Sequence, residues 1–282
     1  MTIAVTGASG QLGTLVTQQL VTLTDPSNVV LVSRSPEKLS GFAGTDARRG
    51  DFSDPTSLAD AFAGVDTLLL ISTDDVDGRL EGHLAAIDAA VAAGVQRIVY
   101  TSVTRPEDAN PAQVVPSHAA TEKALRDSGV AWTLLRNNLY ADMQRGTIDA
   151  AAATGQLVTN IGEGRTAYVT REDCAAVAAH VLVQDGHENQ TYDVTGPEAV
   201  GADDLAALAS KVSGSDVAVV QVDDAGLAQG LVEHAGLPAF VGELLASFGA
   251  ATRGGFMGEV TTVVEDVTGQ PATPFAQAVG LA

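Results

Sequence analysis

Ile3-Ala4-Val5-Thr6-Gly7-Ala8-Ser9-Gly10-Gln11-Leu12-Gly13 is a short apolar run that breaks into a glycine-spaced turn and then into a helical pattern. The run predicts a strand, and Leu12, Val16, Leu20 and Leu23 then repeat on one helical face. Glycines at 7, 10 and 13 carry little weight alone in a chain with 29 of them; the strand before and the helix after decide the reading. A pyrophosphate approaches backbone N–H groups at a helix N-terminus, where unpaired donors and the helix dipole favour an anion and a Cβ would obstruct it. The stretch therefore reads as a dinucleotide site.

The rest of the chain fits such a protein. Its 282 residues, 45% hydrophobic, suffice for a sizeable core in one α/β domain, or in a domain with an appended lobe. No apolar run approaches the roughly 20 residues that span a bilayer, and the first strand begins without a basic leader, so a cytoplasmic protein is expected. The one cysteine, Cys174, has no disulfide partner and shares a face with Val177, Ala178, Val181 and Leu182, which marks it as core packing. No Cys/His cluster has zinc-ligand spacing, so no metal is expected. A formal charge of −20 opposes nucleic acid and anionic membrane surfaces as partners and leaves a small molecule.

Asn28 to Arg34 reads as a second strand ending in Ser33-Arg34, with Lys38 one turn on. An acidic residue here would take the ribose hydroxyls of NADH, whereas cations and a hydroxyl suit the 2′-phosphate of NADPH. Ala47 to Phe52 closes a third strand, with Asp51 where an adenine would lie. Thr67 to Ile71 is a buried strand followed by Ser72-Thr73, and Leu80, Leu84, Ile87 and Val91 form a helical stripe closed by Gly94. Arg97 to Ser102 is a further strand. After a proline-bearing loop over 103–116, Ser117 is expected to cap a helix to Ser128, and Val130 to Leu135 forms a sixth strand. Strands alternating with helices predict a Rossmann-type doubly wound parallel sheet. Later segments predict short strands over 167–169, 191–194 and 217–222, and helices over 171–183 and 202–213. We therefore expect a Rossmann domain over 1–137 and a smaller, interleaved mixed α/β lobe over 138–282 that covers the substrate.

With Thr6 to Gly13, Ser33-Arg34-Ser35-Pro36, Tyr100-Thr101-Ser102, Thr121-Glu122-Lys123 and Thr133-Leu134-Leu135-Arg136-Asn137 taken in order, the chain resembles the NmrA-like atypical short-chain dehydrogenases, in their bacterial NAD(P)H:quinone oxidoreductase branch. The resemblance extends to Thr170 to Asp173 and Gly269 to Phe275. It implies an NADPH-binding Rossmann domain and a small lobe over the nicotinamide. By carry-over, Gly7, Ala8, Ser9, Gly10, Gln11 and Leu12 would hold the pyrophosphate, and Arg34 and Lys38 the 2′-phosphate. Asp51 and Phe52 would surround the adenine, and Ser72 and Thr73 would follow the ribose path. Lys123 would lie on the nicotinamide ribose and Asn137 near the carboxamide.

Short-chain dehydrogenases that reduce ketones protonate a basic alkoxide with the tyrosine of a Tyr-x-x-x-Lys pair. Here Ala119 stands four residues before Lys123. Quinone reduction tolerates this loss, since its product anion is delocalised into an aromatic ring. The expected function is thus NADPH-dependent hydride transfer to quinones or related electron-poor acceptors, without metal or flavin. Lys123 would orient and polarise, though on spacing alone it reads equally as a surface lysine. His118, beside the absent tyrosine, could donate to the acceptor or be an ordinary, partly exposed helix residue. Tyr140 could stack on the acceptor, donate its hydroxyl proton or pack in the lobe. Phe240, Phe256 and Met257 could wall the cleft; His83, His180, His187 and His234 suggest no shared site. Two alternatives stay open: a ketone or imine reductase with a non-tyrosine proton donor, and a non-catalytic NADP(H) redox sensor. A homo-oligomer is compatible with the chain, but no residue marks an interface.

Overall fold

The computed structural model describes residues 1–282. In chain order the elements are β1 (Ile3–Thr6), α1 (Gln11–Leu23), β2 (Val29–Ser33), β3 (Asp46–Arg49), α2 (Thr56–Ala61), β4 (Thr67–Leu70), α3 (Arg79–Ala92), β5 (Arg97–Val103), α4 (Val115–Asp127) and β6 (Ala131–Asn137). Then come α5 (Gln144–Thr154), β7 (Gln156–Thr159), α6 (Arg171–Val183), β8 (Gln190–Val194), α7 (Ala202–Ser213), β9 (Ala218–Gln221), α8 (Asp224–Ala235), α9 (Ala239–Arg253), α10 (Val263–Thr268) and α11 (Phe275–Ala278).

Seven strands form one sheet in the order β3-β2-β1-β4-β5-β6-β8, every neighbouring pair parallel. Strands covered on both faces must be apolar throughout, which is why β1, β2 and β4 show no alternation. Ile3, Val5, Leu69, Val99 and Leu135 pack toward α1 and α6. Ala4, Leu68, Leu70, Ile98, Tyr100 and Leu134 pack toward α2, α3 and α4. Tyr100 thereby points its phenol at the inner faces of α3 and α4. The order of strands reverses at β1 and β4, which opens a crevice beyond their carboxyl ends.

Residue 137 ends the first six strands but not the sheet. The seventh strand, β8, pairs with β6, and α6 packs beside α1 in the same core. The smaller lobe has its own apolar core, with Ile148, Leu157, Leu205 and Phe275, and a parallel pair of β7 and β9. Two local expectations shift. Helix α4 begins at Val115, so Ser117 lies inside it and its Oγ donates to the Val114 carbonyl; Pro116 is tolerated in the first turn, where its missing N–H has no partner to lose. Residues 167–169 form no strand: Val169 makes a single bridge to Tyr140 and neighbouring Thr166 one to Val200, while the Ala167 N–H goes to the Met257 carbonyl, so no ladder continues from one residue to the next. No helix is long and apolar enough to cross a membrane.

Candidate active site

The carboxyl ends of β1, β2, β4, β5 and β6 line one cleft of about 1030 Å³. At its phosphate end Gly7 adopts φ +61°, and the Gly10 N–H closes the turn onto the Gly7 carbonyl at 2.8 Å. A Cβ on Gly13 would stand 2.2 Å from the Gly7 oxygen and 2.8 Å from Ala8 Cα, so only glycine lets α1 start this close to the loop. Gly10 at the N-cap brings no side-chain acceptor, which leaves the first N–H groups of α1 to an outside anion. Gly7, Ser9, Gly10, Gln11 and Leu12 line the cleft, whereas Ala8 is fully buried behind them, its N–H bonded to the Val32 carbonyl at 3.2 Å.

Beyond β2, the Ser33 hydroxyl is occupied by Ser9 Oγ at 2.7 Å and by the Ser35 N–H at 3.1 Å. Arg34 remains as the cation on the cleft wall, across from Asp51 and Phe52. Ser53 donates to Asp51 from both hydroxyl and backbone, which holds the carboxyl below its ordinary range, with the charges of Arg34 and Arg49 adding to it. Lys38 does not join this group: it is exposed on the 3-10 turn Pro36–Leu39 and lines no part of the cleft. Ser72 and Thr73 lie on the cleft floor, the Ser72 N–H bonded to Thr101 Oγ1 at 2.9 Å.

At the other end Asn137 is 6% exposed, lines the cleft, and its Oδ1 has no hydrogen-bond partner. A buried amide oxygen without a donor costs free energy that a ligand N–H would recover. Its neighbour Asn138 is committed structurally, donating from Nδ2 to the Met257 carbonyl at 2.9 Å and accepting the Leu139 N–H at 2.8 Å. The apolar walls are Val114, Leu139, Met143 and Phe248. Phe240, Phe256 and Met257 do not serve here. Phe240 is 64% exposed on α9, Met257 is fully buried, and Phe256 lies under the Arg105 guanidinium, 4.9 Å from its centroid.

Three residues carry the chemistry expected of this end. Lys123 is not in the cleft: its side chain is 77% exposed on the outer face of α4, ion-paired with Asp127 one turn on. Tyr140 does line the cleft, with Arg171 stacked 4.3 Å from its ring centroid, but burial raises its hydroxyl well above the usual phenol range and leaves it a poor acid. His118 lines the cleft too and is only 6% exposed, because α4 turns it inward with Thr121, Glu122 and Leu125. Burial first, then the charge of nearby Arg79, pushes its pKa down to about 3, so the ring is neutral.

His118 is joined to residues that gave no sequence signal of a shared site. Its Nδ1 lies 2.7 Å from Tyr100 Oη, and Tyr100 packs edge-on against His83. His83 Nδ1 lies 3.1 Å from Thr121 Oγ1, and its Nε2 accepts the Thr73 N–H at 3.3 Å. Burial and Arg79 lower His83 to about 4. Arg79 is itself buried, donating to the Thr73 carbonyl and to Ser117 Oγ. Glu122, also buried, binds Ser102 Oγ at 2.7 Å and both arms of Arg136, with Arg126 at 3.0 Å, which ties α4 to the ends of β5 and β6. The spacing of His118, Thr121, Glu122 and Leu125 on α4 could have marked the buried face of that helix, but not the residues of α3 and β5 that meet it. Cys174 is buried in the core, its thiol raised by burial. No group of His, Cys, Asp and Glu is disposed to hold a metal ion.

Comparison with known proteins agrees with this geometry. A family profile described as NAD(P)H-binding matches residues 7–185. Quinone oxidoreductase 2 of Escherichia coli strain K12 is 38% identical over 280 residues, covering 98% of this chain and 97% of that one. Among solved structures, an E. coli NADPH-dependent quinone oxidoreductase complexed with NADPH aligns with a TM-score of 0.94 at 36% identity over 98% of each chain. A Citrobacter triphenylmethane reductase complexed with NADP(H) aligns at 0.91 and 36% identity over 99% of each.

Proposed function

The chain belongs to the NAD(P)H-binding family as an NADPH-dependent oxidoreductase of the NmrA-like type, and on that premise we propose that it delivers hydride directly to quinones and related electron-poor planar acceptors, without flavin or metal. The observation that carries this reading is a cleft with anion donors at one end and, at the other, an apolar pocket in which His118 is neutral, the Tyr140 hydroxyl is raised by burial, and the one guanidinium, Arg171, is stacked on Tyr140 and paired with Asp142.

The N–H groups at the start of α1 would hold the pyrophosphate, Arg34 the 2′-phosphate, and Asp51 and Phe52 the adenine side. Ser72 and Thr73 would follow the ribose, and Asn137 Oδ1 would accept from the carboxamide. Bound there, NADPH supplies a hydride from nicotinamide C4. Val114, Leu139, Met143 and Phe248 would hold a flat acceptor against that carbon and exclude water, which is catalysis by proximity. Hydride addition to a quinone leaves a hydroquinone anion with its charge spread over ring and oxygens. A proton from water completes it, so one NADPH, one quinone and one proton give NADP⁺ and hydroquinone. A ketone would leave a localised alkoxide that needs an acid. With His118 neutral and Tyr140 raised, the cleft offers none of suitable strength.

Steady-state NADPH oxidation with 1,4-naphthoquinone is the test, with hydroquinone formed one for one with NADPH consumed. Tight NADPH binding without turnover of naphthoquinone or any other acceptor in a quinone panel would refute it and leave a redox sensor.

A further inference from the structure

We propose that His118 presents a fixed Nε2–H donor to the oxygen of the acceptor, and that Tyr100 and His83 are positioning residues that set this tautomer. The inference rests on the function proposed above for the acceptor, but the tautomer itself follows from hydrogen bonding alone.

The Thr73 backbone N–H can only donate, so His83 Nε2, 3.3 Å away, must be the acceptor nitrogen of a neutral ring. His83 Nδ1 then carries the proton. It donates to Thr121 Oγ1 at 3.1 Å, whose own proton goes to the Ser117 carbonyl at 2.8 Å. Tyr100 Oη has two nitrogens in reach, His83 Nδ1 at 3.4 Å and His118 Nδ1 at 2.7 Å. The first is already protonated, and Thr121 Oγ1, the other hydrogen-bonding group beside the phenol, already receives the His83 proton, so the phenol donates to His118 Nδ1. Because that nitrogen accepts, the single proton of neutral His118 is on Nε2. This nitrogen has no partner within the protein and is not among the enclosed unpaired atoms, while the residue itself lines the cleft. The Thr73 amide, which cannot reverse, thus fixes the His83 tautomer, and protonated His83 Nδ1 turns the Tyr100 proton toward His118, which leaves the His118 N–H on the side of the cleft.

The chemistry follows. An N–H donor kept from titrating binds a quinone oxygen weakly and its anionic product more strongly, since hydrogen bonds to charged groups exceed those to neutral ones. It favours the state that develops during hydride transfer without being consumed. Arg79, Tyr100 and His83 face the ring from α3 and β5, and Glu122 follows on α4 with its charge taken by Arg126 and Arg136.

Two measurements on the NADP⁺-bound protein and on the turning-over enzyme decide it. Ring ¹⁵N chemical shifts of His118 should report protonation at Nε2 in the wild type and a mixture of tautomers in Tyr100→Phe. Replacing His118 by Phe should lower kcat/KM for 1,4-naphthoquinone by about ten- to a hundredfold with the Kd for NADPH unchanged. His118→Gln, which keeps an N–H, should recover part of the rate, and Tyr100→Phe should cost several-fold only while His118 is present. A wild-type signal for protonation at Nδ1 overturns the proposal, as does a His118→Phe enzyme that keeps the wild-type rate. If the wild type fails to reduce naphthoquinone at all, the functional reading falls, and the ¹⁵N spectrum still decides the tautomer.

Discussion

Substituting His118 by Gln should make the protein less sensitive to acid. His118 keeps a pKa of about 3 in the folded chain because it is buried and faces Arg79, against 6.5 when free. Above pH 6.5 the ring is neutral in both folded and unfolded chains, and no stability depends on it. Below that, the unfolded chain takes up a proton that the folded chain refuses. Stability therefore falls as pH drops from 6.5 toward the folded value, by about 1.4 kcal/mol for each unit. At pH 5 His118 alone should cost about 2 kcal/mol, and His83, lowered to about 4, a similar amount. Urea unfolding of wild type and His118→Gln at pH 8 and pH 5 isolates the first of these, because every other group titrates in both proteins. The pH-dependent loss should be about 2 kcal/mol smaller in the variant. Equal losses would mean that the folded ring accepts a proton as readily as the unfolded one, and the neutral relay through Tyr100 would fall with it.

Arg34→Asp should weaken NADPH by about ten- to a hundredfold in a fluorescence titration, the size expected for a lost charge-assisted contact, and change NADH little; equal losses for both would remove Arg34 from the 2′-phosphate. Gly13→Ala forces a Cβ to 2.2 Å from the Gly7 oxygen and should abolish NADPH binding and lower Tm; a variant that binds normally would show that the loop has slack. Lys123→Met removes an exposed ion pair and should leave kcat, KM and Tm unchanged; a fall in kcat would return the lysine to the site.

Those parts of the fold that depend on neighbours along the chain are legible in the sequence. Arg171–Val183 and 202–213 are bounded as their patterns predict, since caps and apolar spacing are local. The strand expected over 191–194 is present and begins one residue earlier, at Gln190; that it pairs with β6 could not be read, because partner choice is set by where α6 packs. The phosphate loop was readable because its glycines answer to backbone geometry. Arg34 and Lys38 looked alike in sequence, yet one extends along the cleft and the other is turned away by the 3-10 turn at Pro36–Leu39. The histidine pair was invisible for a related reason: His83 and His118 are on different helices, and they meet only in the fold, where Tyr100 points between them from the sheet and Thr121 of α4 bonds His83.

Helix α4 shows how much rests on phase. Successive residues of a helix turn by about 100°, so two overlapping i, i+4 pairs offset by one residue face different surroundings. Matching to the short-chain dehydrogenase motif selects Ala119 and Lys123. The apolar phase set by Leu125 selects His118 and Glu122, and burial follows that second choice. The difference is chemical as well as geometric. A lysine beside a proton donor lowers the donor's pKa and makes it a usable acid. Glu122 is an anion, neutralised by Arg126 and Arg136, and the donor one turn before it is a ring made neutral by burial. A site built this way can stabilise an anion by hydrogen bonding but cannot readily protonate one. On the function proposed above, that would confine efficient turnover to acceptors whose reduced form survives as an anion long enough to reach water, as a quinone's does and a simple ketone's does not.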